Sequence, residues 1–244
     1  ELLYKNGDPG KFTYMRSAAK PIQAMNVILS GAADEYGFTE AELAVMCASH
    51  YAEGFHIQTV NQILEKIGLA HENILAGKSK PLSKKVAFQY AWENRPDSEF
   101  FNDCSGKHAG MLAVSKLNGY NIGQYTSPGH PVQKEISAIL AQMAMIETKE
   151  IKLGIDGCSV PVHAMPIYNM ALAYANFANP EKLNPKFKKA AERIYSAMMK
   201  HPEMIAGTEG FCTELIKNTN GKLIGKIGAE GIYCVGIKDK DIGI

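Results

Sequence analysis

Apolar residues recur at helical spacing along most of the chain. The repeats predict helices at residues 17–34, 39–48, 56–67, 83–94, 105–117, 131–145, 167–178 and 185–200. The first of these is apolar on most of its faces, which is typical of a buried helix. The second opens with Thr39 followed by Glu42, the spacing of a capping box.

The last third of the chain has a different pattern. Short apolar runs flanked by glycine predict strands at residues 222–226 and 231–237, and a further strand is expected at 151–155. Helices first and strands at the end favour an α+β fold, with a helical lobe packed on an antiparallel sheet. No repeat or linker divides the chain, so residues 1–244 are expected to form a single domain. Both ends stop abruptly, and terminal strands of that domain are expected to be missing from this sequence.

Charge and cysteine content narrow the function classes. With 26 basic and 25 acidic side chains the formal net charge is +1, which gives no electrostatic footprint for nucleic acid or an anionic membrane. No apolar run approaches the ~20 residues that span a bilayer, and the polar, turn-rich start is unlike a signal peptide. The five cysteines are odd in number and widely spread, which favours a reduced compartment. We therefore expect a cytoplasmic protein with no membrane or nucleic-acid partner.

A serine and a lysine three residues apart, Ser17 and Lys20, begin the first predicted helix. At that spacing the side chains lie on one face, and a neutral lysine can take the serine proton and make a nucleophile. The site must then lower the lysine pKa from ~10.4 by roughly three units, at about 4 kcal/mol. Burial and the adjacent Arg16 are expected to lower it. Because Ser-x-x-Lys also occurs by chance, the motif needs support from elsewhere.

Two further segments supply that support. Ser49 follows a mostly apolar helix and precedes a turn, so its side chain is expected to project from a loop. Lys226 lies in a predicted strand and is followed by Ile-Gly, where the glycine lets a substrate approach the strand edge. The order Ser-x-x-Lys, loop serine, Lys-x-Gly follows the logic of penicillin-binding proteins and serine β-lactamases. Taken alone, Lys226 would be interpreted as a solvated charge at a strand end.

Two cysteines in glycine-containing turns, Cys104 and Cys158, are candidate metal ligands. Thiols are soft ligands that suit Zn²⁺, and Lys107, His108 or His163 are candidates for further donors. The alternative is that each cysteine is a small buried hydrophobe, which is the more frequent role of a lone cysteine.

The same segments suit an amino-acid ligand. The helix start at residues 105–107 presents free backbone N–H groups to a carboxylate. Asp156 can hold an ammonium group, although Asp-Gly is commonly just a turn.

Four motifs together resemble the bacterial L-asparaginase II family, the inducible rhizobial type. They are Arg-Ser-Ala-Ala-Lys-Pro at 16–21, Asp-Cys-Ser-Gly-Lys-His-Ala-Gly-Met at 103–111, Gly-Ile-Asp-Gly-Cys-Ser-Val-Pro at 154–161 and Lys-Ile-Gly-Ala-Glu-Gly at 226–231. The likeness spans about residues 16–235 and keeps the motif order. It implies a serine β-lactamase/glutaminase-like fold, hydrolysis of L-asparagine to L-aspartate and ammonia through an acyl-enzyme, and a homodimer.

The resemblance also implies roles for single residues. Ser17 matches the nucleophile and Lys20 its general base, while Ser49 and Lys226 match a second Ser-Lys pair. The positions that match a zinc site are Cys104, Lys107 and Cys158. The positions that match contacts to the bound amino acid are Arg16, His108 and Asp156. The zinc is not expected to take part in the chemical step, and no organic cofactor is implied. Where family members often carry Asn, this chain has Asp103, an extra carboxylate beside the expected metal.

Two other functions stay open at this stage. A glutaminase or a penicillin-recognising serine amidohydrolase would use the same scaffold, and one methylene of substrate is worth only ~1–3 kcal/mol of discrimination. A zinc- or amino-acid-binding protein without turnover belongs to a different class, and it predicts ligand binding without ammonia release.

Overall fold

A computed structural model describes all residues from 1 to 244, and the chain folds as α+β. The helices are α1 (Lys20–Leu29), α2 (Ala32–Glu35), α3 (Glu40–Met46), α4 (Gly54–Lys66), α5 (Lys84–Trp92), α6 (Ser105–Leu117), α7 (Pro131–Ala144), α8 (Ile167–Ala178), α9 (Pro185–Lys200), α10 (Glu203–Ala206) and α11 (Phe211–Asn218). The strands are β1 (Phe12–Tyr14), β2 (Lys152–Ile155), β3 (Pro161–Pro166), β4 (Leu223–Ile227), β5 (Tyr233–Ile237) and β6 (Ile242–Gly243).

The predicted helices are all present, but the first is shorter than expected. A 3₁₀ turn at Arg16–Ala19 precedes α1, which ends at Leu29 rather than at residue 34. Gly31 adopts φ 87° and separates α1 from α2, because a left-handed residue cannot continue a right-handed helix. The expected capping box at Thr39 and Glu42 is confirmed, with both reciprocal hydrogen bonds formed.

The strands form two small sheets instead of the single sheet that the sequence suggested. One has the order β1-β3-β2 and the other the order β4-β5-β6, and every pair in both is antiparallel. The predicted strands correspond to β2, β4 and β5, whereas β1, β3 and β6 were not predicted.

Helix α1 lies at the centre of the helical lobe, and the Ser-x-x-Lys motif lies at its N-terminus. Nine of its ten residues are buried, and it packs against α6, α7 and α9. This confirms the prediction of a buried first helix. The loops that follow α3 and precede α6 meet beside its N-terminus, since α3 packs on α6. None of the helices combines the length and apolarity needed to cross a membrane.

The contact between α3 and α6 depends on Gly106, in the first turn of α6. A Cβ atom added there would lie 2.1 Å from the carbonyl oxygen of Val45. We expect Gly106→Ala to lower the free energy of unfolding by about 1–3 kcal/mol, because the two backbones must move apart. Gly54→Ala, at the first residue of α4, is the control, since a Cβ there meets nothing within 4 Å. Urea titration of both variants checks the expectation, and equal midpoints would contradict it.

Candidate active site

A cleft of about 440 Å³ opens beside the start of α1. Its walls come from the 3₁₀ turn before α1, the loops around residues 49, 79–82 and 102–104, the β2–β3 turn and the end of β4. Among the residues predicted from sequence, those that line it are Arg16, Ser17, Ser49, Cys104, Asp156 and Cys158. Lys20, Lys107, His108 and Lys226 are not part of its wall and are buried.

Ser17 sits in the 3₁₀ turn, half-buried, with its hydroxyl free of side-chain hydrogen bonds. Arg16 before it adopts φ 52°, a left-handed conformation that costs a non-glycine residue energy. The direct Ser17–Lys20 hydrogen bond that the motif suggested is not formed. Instead the Lys20 amine donates to the hydroxyl of Ser49 at 3.0 Å and to the carboxylate of Asp103 at 3.2 Å.

The Ser49 hydroxyl lies between two buried lysines. Lys20 Nζ is 3.0 Å from Ser49 Oγ, and Lys226 Nζ is 2.8 Å from the same oxygen. Lys226 also donates to the carbonyl oxygen of Ile227 at 2.7 Å. The loop that carries Ser49 is anchored by its backbone N–H, which donates to Ile205 O at 3.0 Å. The structure therefore brings together three of the four residues predicted to be catalytic into one hydrogen-bonded cluster.

The two lysines have opposite pKa shifts. Burial lowers the pKa of Lys226 to about 8, helped by the nearby charge of Lys20. Burial also acts to lower the pKa of Lys20, but Asp103 and Cys104 outweigh it and the net shift is upward. The expectation of a net lowered pKa at Lys20 was therefore wrong: burial acts in the expected direction, but the partner carboxylate was not foreseen.

Asp103 takes a place that the sequence did not predict. It precedes Cys104, but its carboxylate forms an ion pair with Lys20, 83 positions away in the chain. Burial acts to raise the pKa of Asp103, yet Lys20 and His50 lower it to about 2. Asp103 is therefore an anion at neutral pH. The only feature of the sequence that drew attention to Asp103 was that the resembling family often carries Asn at this position.

His50 is a second residue that the sequence did not single out. Its Nδ1 accepts from the N–H of Ala52 at 3.2 Å, so Nε2 carries the proton and donates to Ser105 Oγ at 2.7 Å. Its pKa lies well below the usual range, chiefly because of burial. As a neutral imidazole it ties the Ser49 loop to the N-terminus of α6.

The two candidate metal-binding cysteines meet beside Lys107. Lys107 Nζ lies 3.0 Å from Cys158 Sγ, and the thiol of Cys104 donates to the carboxylate of Asp103, with Sγ 3.7 Å from Oδ2. The neighbouring Cys104 thiol is the main cause of a lowered pKa at Cys158, while the sulfur groups of Cys104 and Cys158 raise the pKa of Lys107 against the effect of burial. The result is a buried thiolate–ammonium pair. His163 stands apart, with Nε2 2.9 Å from the hydroxyl of Ser137.

The donor set fits a soft metal ion only if a lysine takes part. No group of three or more His, Cys, Asp or Glu side chains is arranged to hold a metal. Cys104, Cys158 and Lys107 supply two sulfurs and a nitrogen, with Lys107 Nζ 3.0 Å from Cys158 Sγ, and these donor types suit Zn²⁺. The Lys107 ammonium supplies the positive charge that stabilises the Cys158 thiolate.

Two oppositely charged side chains that line the cleft, Arg16 and Asp156, form an ion pair. Arg16 Nη2 is 3.3 Å from Asp156 Oδ1, and Arg16 Nε is 4.0 Å from the exposed Glu230. A guanidinium and a carboxylate at this spacing match the carboxylate and ammonium of a free amino acid. His108, predicted as a third contact, is buried beneath the cleft, where Nδ1 pairs with the hydroxyl of Tyr125 at 2.6 Å and Nε2 has no partner.

A family model described as L-asparaginase II matches residues 1–244. No curated protein matches the chain.

Proposed function

The chain belongs to the L-asparaginase II family, and from this premise we propose that it hydrolyses L-asparagine to L-aspartate and ammonia. Membership of the family indicates an amidohydrolase. The observation that best supports the proposal is the Ser49 hydroxyl held between Lys20 and Lys226 in a cleft that Ser17 also lines. The proposal includes a serine β-lactamase/glutaminase-like fold, for which the helical lobe and antiparallel sheets are suitable.

In the proposed mechanism, Ser17 attacks the side-chain amide carbon and its proton passes to the Lys20–Ser49–Lys226 cluster. Backbone N–H groups stabilise the oxyanion of the tetrahedral intermediate. Ammonia leaves with that proton, and a β-aspartyl ester remains on Ser17. Water activated by the same cluster hydrolyses the ester and restores the hydroxyl of Ser17.

Arg16 and Asp156 are proposed to recognise the α-carboxylate and α-ammonium groups of the substrate. In the structure they neutralise one another at 3.3 Å, and the two groups of a bound amino acid would replace that pair by two charge-assisted contacts. The side-chain amide carbon is two bonds from the α-carbon that carries both groups, so recognition of them would limit where that carbon lies relative to Ser17.

Ammonia release from L-asparagine and from L-glutamine, measured side by side, tests the proposal. Faster release from asparagine is the expected result, since family membership favours it. Release from glutamine alone would support the glutaminase interpretation. No release from either amide, together with binding of free aspartate, would support a binding protein without turnover. Covalent labelling by a fluorescent penicillin would indicate the penicillin-recognising alternative.

A zinc ion is proposed to bind Cys104, Lys107 and Cys158. The ion would supply a positive charge near the α-carboxylate of the substrate and so favour substrate binding. Lys107 would have to lose its ammonium proton and Cys104 its thiol proton, because metal-bound amines and thiols are deprotonated.

Zinc binding is expected to reach about one ion per chain and to release protons. Cys158→Ser should weaken the affinity at least about 100-fold, more than loss of an outer-shell partner would. Equilibrium dialysis with ZnCl₂ measures the affinity, and a pH-indicator dye measures the protons. Cys234→Ser is the matched control, since that buried cysteine lies on β5 and is not one of the proposed zinc ligands. Equal zinc affinity of the two variants would contradict the assignment.

A further inference from the structure

Lys20 and Lys226 share one hydroxyl but have different electrostatic partners. Lys20, only 1% exposed, has a carboxylate at 3.2 Å. Lys226, 0% exposed, has only neutral oxygen partners, namely Ser49 Oγ at 2.8 Å and Ile227 O at 2.7 Å. A buried ammonium without a counter-ion is costly and tends to lose its proton, whereas one paired with a carboxylate stays charged.

We propose that Asp103 is a positioning residue that holds Lys20 as an ammonium against Ser49, which leaves Lys226 as the proton acceptor of the site. The inference rests on the proposed amidohydrolase function, and it assigns to Lys226 the role that the sequence gave to Lys20. Asp103 acts through Lys20 and need not touch the substrate.

The charges around Lys226 agree with this assignment. Burial and the Lys20 ammonium lower its pKa, while partner groups from other elements raise it, and the net value is about 8. The titratable groups that face it are Lys20 on α1, Cys47 at the end of α3, Asp103 and Cys104 before α6, and Cys212 on α11. Since Asp103 is committed to Lys20, the lysine that loses its proton near neutral pH is Lys226.

In both halves of the proposed reaction, acylation and deacylation, Ser49 passes the proton on to Lys226. In acylation the O–H bond of Ser17 breaks as its oxygen bonds to the amide carbon, and that proton replaces the one that Ser49 gives to Lys226. Lys226 returns the proton to the departing nitrogen, which leaves as ammonia. In deacylation water takes the place of Ser17 as proton donor, and the proton returns to the Ser17 oxygen when the ester bond breaks.

The protonation state of each lysine can be measured without turnover. In protein labelled with ¹⁵N-lysine, Nζ signals are followed from about pH 6 to about pH 11. Lys20→Met and Lys226→Met assign the two signals by their loss. We expect the Lys226 signal to titrate with a midpoint near pH 8 and the Lys20 signal to stay at its ammonium position until well above that pH. Asp103→Asn should then lower the Lys20 midpoint by at least about one unit.

The same assignment predicts the pH profile of the enzyme. The proton acceptor must be neutral, so kcat/KM for asparagine should fall as pH drops below about 8. A Lys20 midpoint below that of Lys226, or a Lys20 midpoint that does not change in Asp103→Asn, would overturn the proposal. If neither methionine variant folds, Lys20→Arg and Lys226→Arg assign the two signals, because arginine keeps the positive charge and contributes no lysine signal. Absence of ammonia release from the unmodified protein would refute the proposed function. The titration would still show which of Lys20 and Lys226 is protonated at neutral pH.

Discussion

Ser17→Ala is expected to lower ammonia release from L-asparagine at least about 10⁴-fold, the scale seen when a covalent nucleophile is removed. The hydroxyl of Ser17 makes no side-chain hydrogen bond, so the variant should unfold at the same temperature as the unmodified protein. A coupled ammonia assay and a thermal unfolding curve check both statements.

Ser79→Ala is the matched control for this variant. Ser79 lines the same cleft, but its hydroxyl contacts none of the lysines. It should keep activity within about threefold of the unmodified enzyme. Undiminished hydrolysis by Ser17→Ala would end the assignment of Ser17 as nucleophile, and the half-buried hydroxyl would then be a structural feature of the turn.

Ser49→Ala is expected to lower kcat by about 10²–10⁴-fold, the range for loss of general acid–base catalysis. The hydroxyl is the only atom that joins the Lys20 and Lys226 nitrogens, at 3.0 and 2.8 Å. Its loss leaves Lys226 with the Ile227 carbonyl alone and interrupts the proton path. KM should change less than kcat, because the proposed recognition of the amino acid lies with Arg16 and Asp156.

Steady-state kinetics with separate kcat and KM values test this expectation. A rise in KM at constant kcat would instead make Ser49 a residue that binds substrate. A kcat equal to that of the unmodified enzyme would remove the cluster from the mechanism altogether. Folding is checked by far-UV circular dichroism, so that an unfolded variant is not counted as an inactive one.

The helices could be predicted because their apolar spacing is strong and their ends carry recognisable residues, such as Thr39 with Glu42. β3 escaped prediction because five of its six residues are buried, so its sequence lacks the alternation of a half-exposed strand. The break at Gly31 was missed because a single glycine inside an apolar run is compatible with a continuing helix.

The catalytic candidates could be named from sequence because serine, lysine and cysteine stood in short, ordered motifs. Their partners could not, since Asp103 joins Lys20 across 83 positions and Ser105 joins His50 across 55. Local pattern carries no information about such pairs. Prediction of the Lys20 pKa failed for that reason, because the shift depends on which distant carboxylate the fold brings near.

The cluster around Ser49 also sets when activity can return during refolding. One of its hydrogen bonds joins residues 29 positions apart, and the other joins residues 177 positions apart. Local helices form early, whereas a contact between residues so far apart in the sequence forms only after a large loss of chain entropy on loop closure. Recovery of circular dichroism would then precede recovery of turnover, and a refolding chain would pass through a helical, inactive stage until β4 docks.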